Sequence, residues 1–313
     1  MNVSNGVKRV LLKLDNSINN GNYYEAHQMY RTLYFRYLGQ QNFSDLIRLL
    51  HNGSLLLLQR KQYTSGADLG MLYIDVLKKS KEKPSFSYFE NIIDLFSLMD
   101  STSPERETFV NNALRWSNIG TNYRIGHPKL HQRFAEIYWK EKNYLYARQH
   151  FLYSSNGDKC ATMMVEFYEE QGYTNEIDLF ITQIVLQYLC LDDKISAMEA
   201  FDFYIKKHPK IEGTIPFMLP LLNFSFLLLE LTKNGTLSSF TILCEQYFTS
   251  LTRDPSFLHY LEKIGKQYFN TSSSHNSDRG LFSSFLQSLF DGIEEDKALE
   301  KNELSTDLMV DLD

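Results

Sequence analysis

The sequence predicts an all-α fold, a solenoid of stacked helix pairs, and three observations carry that prediction. Apolar and aromatic residues recur at helical spacing: from Tyr23 the stripe runs through Ala26, Tyr30, Leu33, Tyr34 and Tyr37, and Ile177, Phe180, Ile181, Ile184, Val185 and Tyr188 form another. Alternating strand patterns bounded by paired turn signals are hard to find. Residue types that cap helices recur about every 20 positions, so a helix pair takes about 40, the scale of helical repeats.

Helix starts are predicted near Asn22, Asn42, Thr64, Ser85 and Ser103. The segment NYYEAHQMY (22–30) returns as NYLYARQHF (143–151), with Asn22, Tyr23, Ala26 and Tyr30 answered by Asn143, Tyr144, Ala147 and Phe151. Asn precedes a helix, Tyr and Ala face inward, small Ala lets the next helix approach, and the aromatic one turn on fills the gap. This is similar to the second-helix signature of tetratricopeptide-like (TPR-like) repeats, in degenerate form. FMLPLLNFSFLLLEL (217–231) is shorter than the ~20 residues of a membrane span and holds Pro220, Asn223 and Glu230, so a buried helix is expected. HPKIEGTIPFMLP (208–220), with three prolines and a glycine, predicts an exposed loop or short hairpin. FNTSSSHNSDRG (269–280) reads as a polar linker. Beyond it, Leu281, Phe282, Phe285, Leu286, Leu289 and Phe290 share one helical face that docks on the protein's own body or on a partner.

The chain has 313 residues, 43% hydrophobic and 22% charged, long enough for a sizeable core without covalent staples. Its net charge of −6 is unevenly spread. Residues 1–83 carry 12 Lys and Arg against 6 Asp and Glu, residues 84–290 carry 18 against 23, and residues 291–313 carry 2 against 9. The basic first third suits an acidic partner, and the last segment reads as a solvated, disordered acidic tail. Three dispersed cysteines, Cys160, Cys190 and Cys244, with no CxxC pair, fit a reducing compartment. The opening MNVSNGVKRVLLKLDNS lacks a long apolar run and a cleavage site, so no secretory signal is expected.

Catalytic constellations are not found. His127 and His131 in HPKLH stand at i, i+4, but without the acid of HExxH or a third ligand they read as one capping and one surface histidine. Phosphate loops, nucleophile elbows and dinucleotide fingerprints are missing. The acidic runs at Glu169–Glu170, Asp192–Asp193 and 294–296 read as solvated faces, and a net acidic chain without RNP-type motifs argues against nucleic acid. No cofactor, metal or enzymatic activity is expected.

Long segments nevertheless carry a specific likeness: NYYEAHQMYRTLYFRYLGQ (22–40), SGADLGMLYIDVL (65–77), SPERETFVNNALRWS (103–117), GHPKLHQ (126–132), HPKIEGTIPFMLPLLNF (208–224), LCEQY (243–247) and RDP (253–255). In these the chain resembles the Golgi-to-ER traffic protein four family, known in animals as the 35-kilodalton subunit of the transmembrane-domain recognition complex. The resemblance implies a hook-shaped helical solenoid, non-catalytic and cytosolic, in the pathway delivering tail-anchored proteins to the endoplasmic reticulum. It implies that residues 1–142 bind the dimeric targeting ATPase and residues 143–290 a ubiquitin-like adaptor or a BAG-domain chaperone. By matching positions, the ATPase-facing residues are Lys8, Arg9, Tyr24, His27 and Arg31, and the residues influencing nucleotide turnover are Asp68 and Asp75, at i, i+7 on one helix face. Core filling stays open for Tyr24 and His27, and a helix N-terminal charge for Asp68. The compact loop favours the BAG-domain chaperone, with Ile215, Phe217 and Leu219 as candidate contacts or, alternatively, as residues packed on the solenoid. A chaperone that grips hydrophobic clients directly, with the Leu281–Phe290 stripe, is the competing reading.

Overall fold

Three consecutive helices set the period. In the computed structural model, which describes residues 5–212 and 215–269, α2 (Tyr23–Gly39), α3 (Phe43–Gln59) and α4 (Tyr63–Lys79) each have 17 residues and start 20 positions apart. The same turn closes each hairpin. Gly21, Gln41, Lys61 and Lys81 have φ of 74°, 55°, 60° and 56°. The next amides, Asn22, Asn42, Gln62 and Glu82, donate back to the carbonyls of Ser17, Tyr37, Leu57 and Leu77 at 2.8, 3.0, 2.9 and 3.2 Å. This is the Schellman arrangement, in which a left-handed residue lets the chain cap one helix while starting the next. It recurs at Lys142, where the Asn143 amide reaches the Tyr138 carbonyl at 2.9 Å, and at Asp192, where Asp193 reaches Tyr188 at 3.0 Å. The echo of NYYEAHQMY therefore marks one turn used twice: Asn22 and Asn143 are both N-caps, and Ala26 and Ala147 are both fully buried.

The caps fall where predicted at Asn22, Asn42 and Ser85, with α5 covering Phe86–Leu98. Thr64 is two residues late, because Gln62 caps α4 through backbone geometry that its side chain does not advertise. Ser103 is one residue early: Pro104 is the N-cap of α6 (Glu105–Ser117), and the Ser103 hydroxyl donates to Glu105.

The chain divides into two compact units, Met1–Ser154 and Ser155–Asp313. The first holds α1 (Asn5–Asn19), α2 to α6, α7 (Pro128–Lys140) and α8 (Tyr144–Phe151). Each helix packs on its neighbour, and α2 on α4, α3 on α5, α4 on α6 and α5 on α7, the layering of a solenoid. Close approach is built into the sequence at Gly53 of α3, where a Cβ would lie 2.5 Å from the Tyr30 ring of α2. The SPERETF segment places Arg106 almost wholly inside. Its guanidinium donates to both Glu141 oxygens at 2.9 and 2.8 Å and lies 4.2 Å above the Phe96 ring, so a buried charge is paired and stacked.

The second unit holds α9 (Gly157–Gln171), α10 (Ile177–Cys190), α11 (Lys194–Lys207), α12 (Pro220–Asn234), α13 (Leu237–Gln246), α14 (Phe248–Leu251) and α15 (Ser256–Tyr268). Its centre is α10, whose Ile181, Ile184, Val185 and Tyr188 are fully buried and which packs against α9, α11, α12 and α15. The greasy stretch is helix α12, burying Leu221, Leu222, Phe224, Leu228 and Leu229. The RDP segment is structural: Arg253 donates to both oxygens of the fully buried Asp178 at 3.0 Å, and Asp254 accepts the Ser256 amide at 2.9 Å to start α15. Cys160, Cys190 and Cys244 are free and buried. Among the described residues there is no strand, and the chain is all-α, as the sequence predicts. The Leu281–Phe290 stripe and the acidic tail lie outside the described residues.

Candidate functional site

The carboxylates at Asp68 and Asp75 stand on α4 facing α2, and both are engaged by it. His27 Nε2 donates to Asp68 Oδ2 at 2.7 Å, and Arg31 Nη1 lies 3.6 Å from Asp68 Oδ1. Seven residues further along both helices, Tyr34 Oη donates to Asp75 Oδ2 at 2.8 Å. Lys79 Nζ lies 2.7 Å from the same carboxylate oxygen, 2.8 Å from Tyr34 Oη and 5.5 Å from the Tyr34 ring centre. Burial pushes the Tyr34 phenol above its usual value, and the hydrogen bond to Asp75 raises the Lys79 ammonium. Each cross-helix pair spans 41 positions, one more than two periods of 20, so the repeat length itself sets the pairing.

Of the sequence-predicted site residues, the contact candidates His27 and Arg31 converge on Asp68, a candidate for influencing nucleotide turnover. Tyr24 is 78% exposed, which removes core filling as its account. His27 is only 8% exposed and is turned toward Asp68. Asp68 is the sixth residue of α4, beyond the first turn where the helix dipole acts, so the simple N-terminal charge account does not hold. Lys8 and Arg9 lie exposed on α1, which packs on α2 and is tied to it where Arg36 Nη1 donates to the Gly6 carbonyl at 2.9 Å. Phe35, which is not among the sequence-predicted residues, is 63% exposed. It completes a row, Tyr24, Gln28, Arg31 and Phe35, along one face of α2 beside the His27 and Tyr34 row. The spacing of four, three and four residues was the available signal.

HPKLH behaves differently from its reading. His127 caps α7, accepting the Lys129 amide on Nδ1 at 3.3 Å, as predicted. His131, expected on the surface, is 2% exposed, with Nδ1 2.9 Å from Nδ1 of His150 on α8. One turn into α7 it falls on the face that packs against α8, and burial holds His131 down to about 4 and His150 to about 3. Both rings are thus neutral at pH 7, one Nδ1 donating to the other. Among the described residues no group of three His, Cys, Asp or Glu is placed to hold a metal, and no helix is long and apolar enough to cross a membrane.

In the second unit the loop after α11 carries the three candidate residues. Ile215 is half-exposed, Leu219 is partly exposed, and Phe217 is buried against Phe201 with ring centres 6.4 Å apart. Asn223 Nδ2 donates to the Phe217 carbonyl and its Oδ1 accepts the Phe217 amide, both at 2.7 Å, which pins the loop to α12. Further along the chain, the C-terminal part of α12 and α13 frame a cavity of about 580 Å³ lined by Leu227, Leu231, Ile242, Leu243 and Tyr247, with Leu227 and Ile242 exposed.

Residues 40–290 match the family described as Golgi to ER traffic protein 4. The chain belongs to that family. It is 48% identical over 297 residues to the Golgi to ER traffic protein 4 homolog of Oryzias latipes, covering 95% of this chain and 92% of the relative. It is 46% identical to the Homo sapiens homolog over 296 residues, covering 94% and 90%. A crystal structure described as C. therm. Get4 superposes with a TM-score of 0.76 at 24% identity, covering 90% of this chain and 96% of that one, and shares the fold. For this Golgi to ER traffic protein 4 family member, the geometry adds that His27, Arg31 and Tyr34 on α2 and the acidic residues Asp68 and Asp75 on α4 are bonded to one another within a single compact unit.

Proposed function

We propose that the chain is a non-catalytic cytosolic scaffold of the tail-anchored protein insertion pathway, handing clients from a chaperone complex to the targeting ATPase. Family membership supports the pathway, since its relatives are named for Golgi to ER traffic. The observation that carries the division of labour is the placement of the candidate residues. Lys8, Arg9, Tyr24, Arg31 and Asp68 lie on α1, α2 and α4 of the first unit, and the loop bearing Ile215 lies in the second. In this reading the first unit docks the dimeric ATPase through the basic face of α1 and the exposed row on α2. The second unit docks the BAG-domain chaperone or the ubiquitin-like adaptor through the loop and α12. Neither nucleic acid nor direct membrane insertion enters.

The test is assembly of purified full-length chain with the ATPase and the chaperone's scaffold-binding region, followed by mass measurement of the mixture. A ternary species that forms only when the chain is present supports bridging; two mutually exclusive binary complexes contradict it. The alternative, a chaperone that grips hydrophobic clients directly, is favoured by the apolar cavity between α12 and α13. Crosslinking of a tail-anchor peptide into that cavity, without the ATPase or the chaperone, would select it.

A further inference from the structure

The Asp68 carboxylate is held from two sides. His27 Nε2 lies 2.7 Å from Oδ2, and Gln28 Nε2 lies 3.4 Å from the other ring nitrogen of His27, so Nδ1 accepts from Gln28 while Nε2 donates to Asp68. The His27 side chain is 10% exposed, that of Asp68 34% and that of Arg31 45%. A partner approaching this face therefore meets Arg31 and one edge of Asp68, with the imidazole behind them. Arg31, at 3.6 Å from Oδ1, is in ion-pair range but outside good hydrogen-bond geometry, so that oxygen keeps capacity to accept. His27 Nε2 fixes where the carboxylate points, because a short hydrogen bond from a packed ring restricts the side-chain torsions of Asp68.

We propose that His27 is a positioning residue: it holds Asp68 so that the second oxygen, shared with Arg31, is offered to a cationic side chain of the docked partner. This rests on the reading above that this face meets the ATPase, and it changes the role of His27 from a contact to a support. Docking then exchanges the loose Arg31 interaction for one across the interface, while the His27 bond persists. Anchoring on α2 and the acidic position on α4 are linked by this one imidazole.

The experiment has two arms. In the free full-length protein, the His27 Nε2 proton should be visible by NMR as a slowly exchanging imidazole resonance that disappears in Asp68→Ala; its persistence in that variant overturns the proposal. With the ATPase at saturating scaffold, His27→Ala and Asp68→Ala should change nucleotide hydrolysis by the same factor, about three- to tenfold, the effect of roughly one hydrogen bond. The double variant should do no more than either single one. His27→Gln, whose amide reaches the position of Nε2, should restore the wild-type rate, which a general loss of packing would not permit. Affinity should stay within about twofold for all of them. Additive effects, a wild-type rate in Asp68→Ala, or a His27→Ala variant that loses affinity while keeping the rate each overturn the proposal. If the wild-type chain neither binds nor affects the ATPase, the functional reading falls, and the NMR arm alone decides whether His27 holds Asp68.

Discussion

Tyr34 on α2 donates its phenol to Asp75 on α4 at 2.8 Å, two helical turns along from the His27–Asp68 bond, and Lys79 closes on both groups. Two bonds at the same 41-residue offset fix the register of α2 against α4. Tyr34→Phe should cost about 0.5–1.5 kcal/mol of stability, as should Asp75→Asn, and the double variant should cost less than the sum. Denaturant melts of the four proteins check this, and strict additivity would show that the pair is not coupled.

The repeated turn makes a second prediction. Lys61 stands at φ 60°, a conformation that costs a side-chain-bearing residue energy and glycine almost none. Lys61→Gly should raise stability by about 0.5–1 kcal/mol after the extra unfolded-state freedom of glycine is subtracted. Lys61→Val should lower it, because a β-branched side chain suits the left-handed region worst. Thermal unfolding of the two variants decides the sign.

A third concerns acid. The folded values of His131 and His150, about 4 and about 3, lie below the ordinary 6.5 because burial disfavours the charged rings. Above pH 6.5 both states are neutral and the pair gives no pH dependence. As pH falls through 6.5 the unfolded chain takes up protons that the folded rings refuse, so stability drops. The limiting slope is about 1.4 kcal/mol per pH unit for each ring, down to about pH 4. Denaturant midpoints between pH 7 and 4.5 should fall less steeply in His150→Phe than in the wild type. An unchanged slope would show that the pair is not buried neutral; His208, also held down to about 4 by burial, contributes to the slope that remains, as do His51 and His127, both lowered by burial.

The loop after α11 separates two roles. Phe217 is buried against Phe201 and clamped by Asn223, whereas Ile215 is half-exposed. Phe217→Ser should lower stability by about 2–4 kcal/mol, visible as a lower melting temperature. Ile215→Ser should leave melting unchanged and weaken binding of the chaperone-type partner by about tenfold or less. Unchanged affinity in folded Ile215→Ser removes this residue from the interface.

What the sequence displayed was local. Helix starts at Asn22, Asn42 and Ser85, the inward Ala26 and Ala147, and the buried α12 all follow from spacing and cap chemistry that act within a few residues. The start of α4 was misplaced because a Schellman turn set it and Gln62 carries no cap signal. His131 was misassigned because its burial depends on α8, and the meeting of His27 with Asp68 depends on stacking two periods away. Arg106 and Arg253 look like surface cations in sequence; only Glu141 and Asp178, reached through the fold, bring them inside or against a buried acid. Pairings across the stack are set by repeat length, and a single chain displays that length only approximately.

Association kinetics with the purified dimeric ATPase decide whether α1 and α2 present the proposed docking face. Tyr24 and Arg31 are exposed on α2, and Lys8 and Arg9 on α1. Tyr24→Ala with Arg31→Glu should raise the dissociation constant by about tenfold or more, mostly through faster release. Lys8→Glu with Arg9→Glu should slow association and flatten its dependence on salt. Both pairs should keep the wild-type melting temperature and the wild-type affinity for the chaperone-type partner. Wild-type kinetics for the ATPase in both folded double variants would place the docking face elsewhere on the chain.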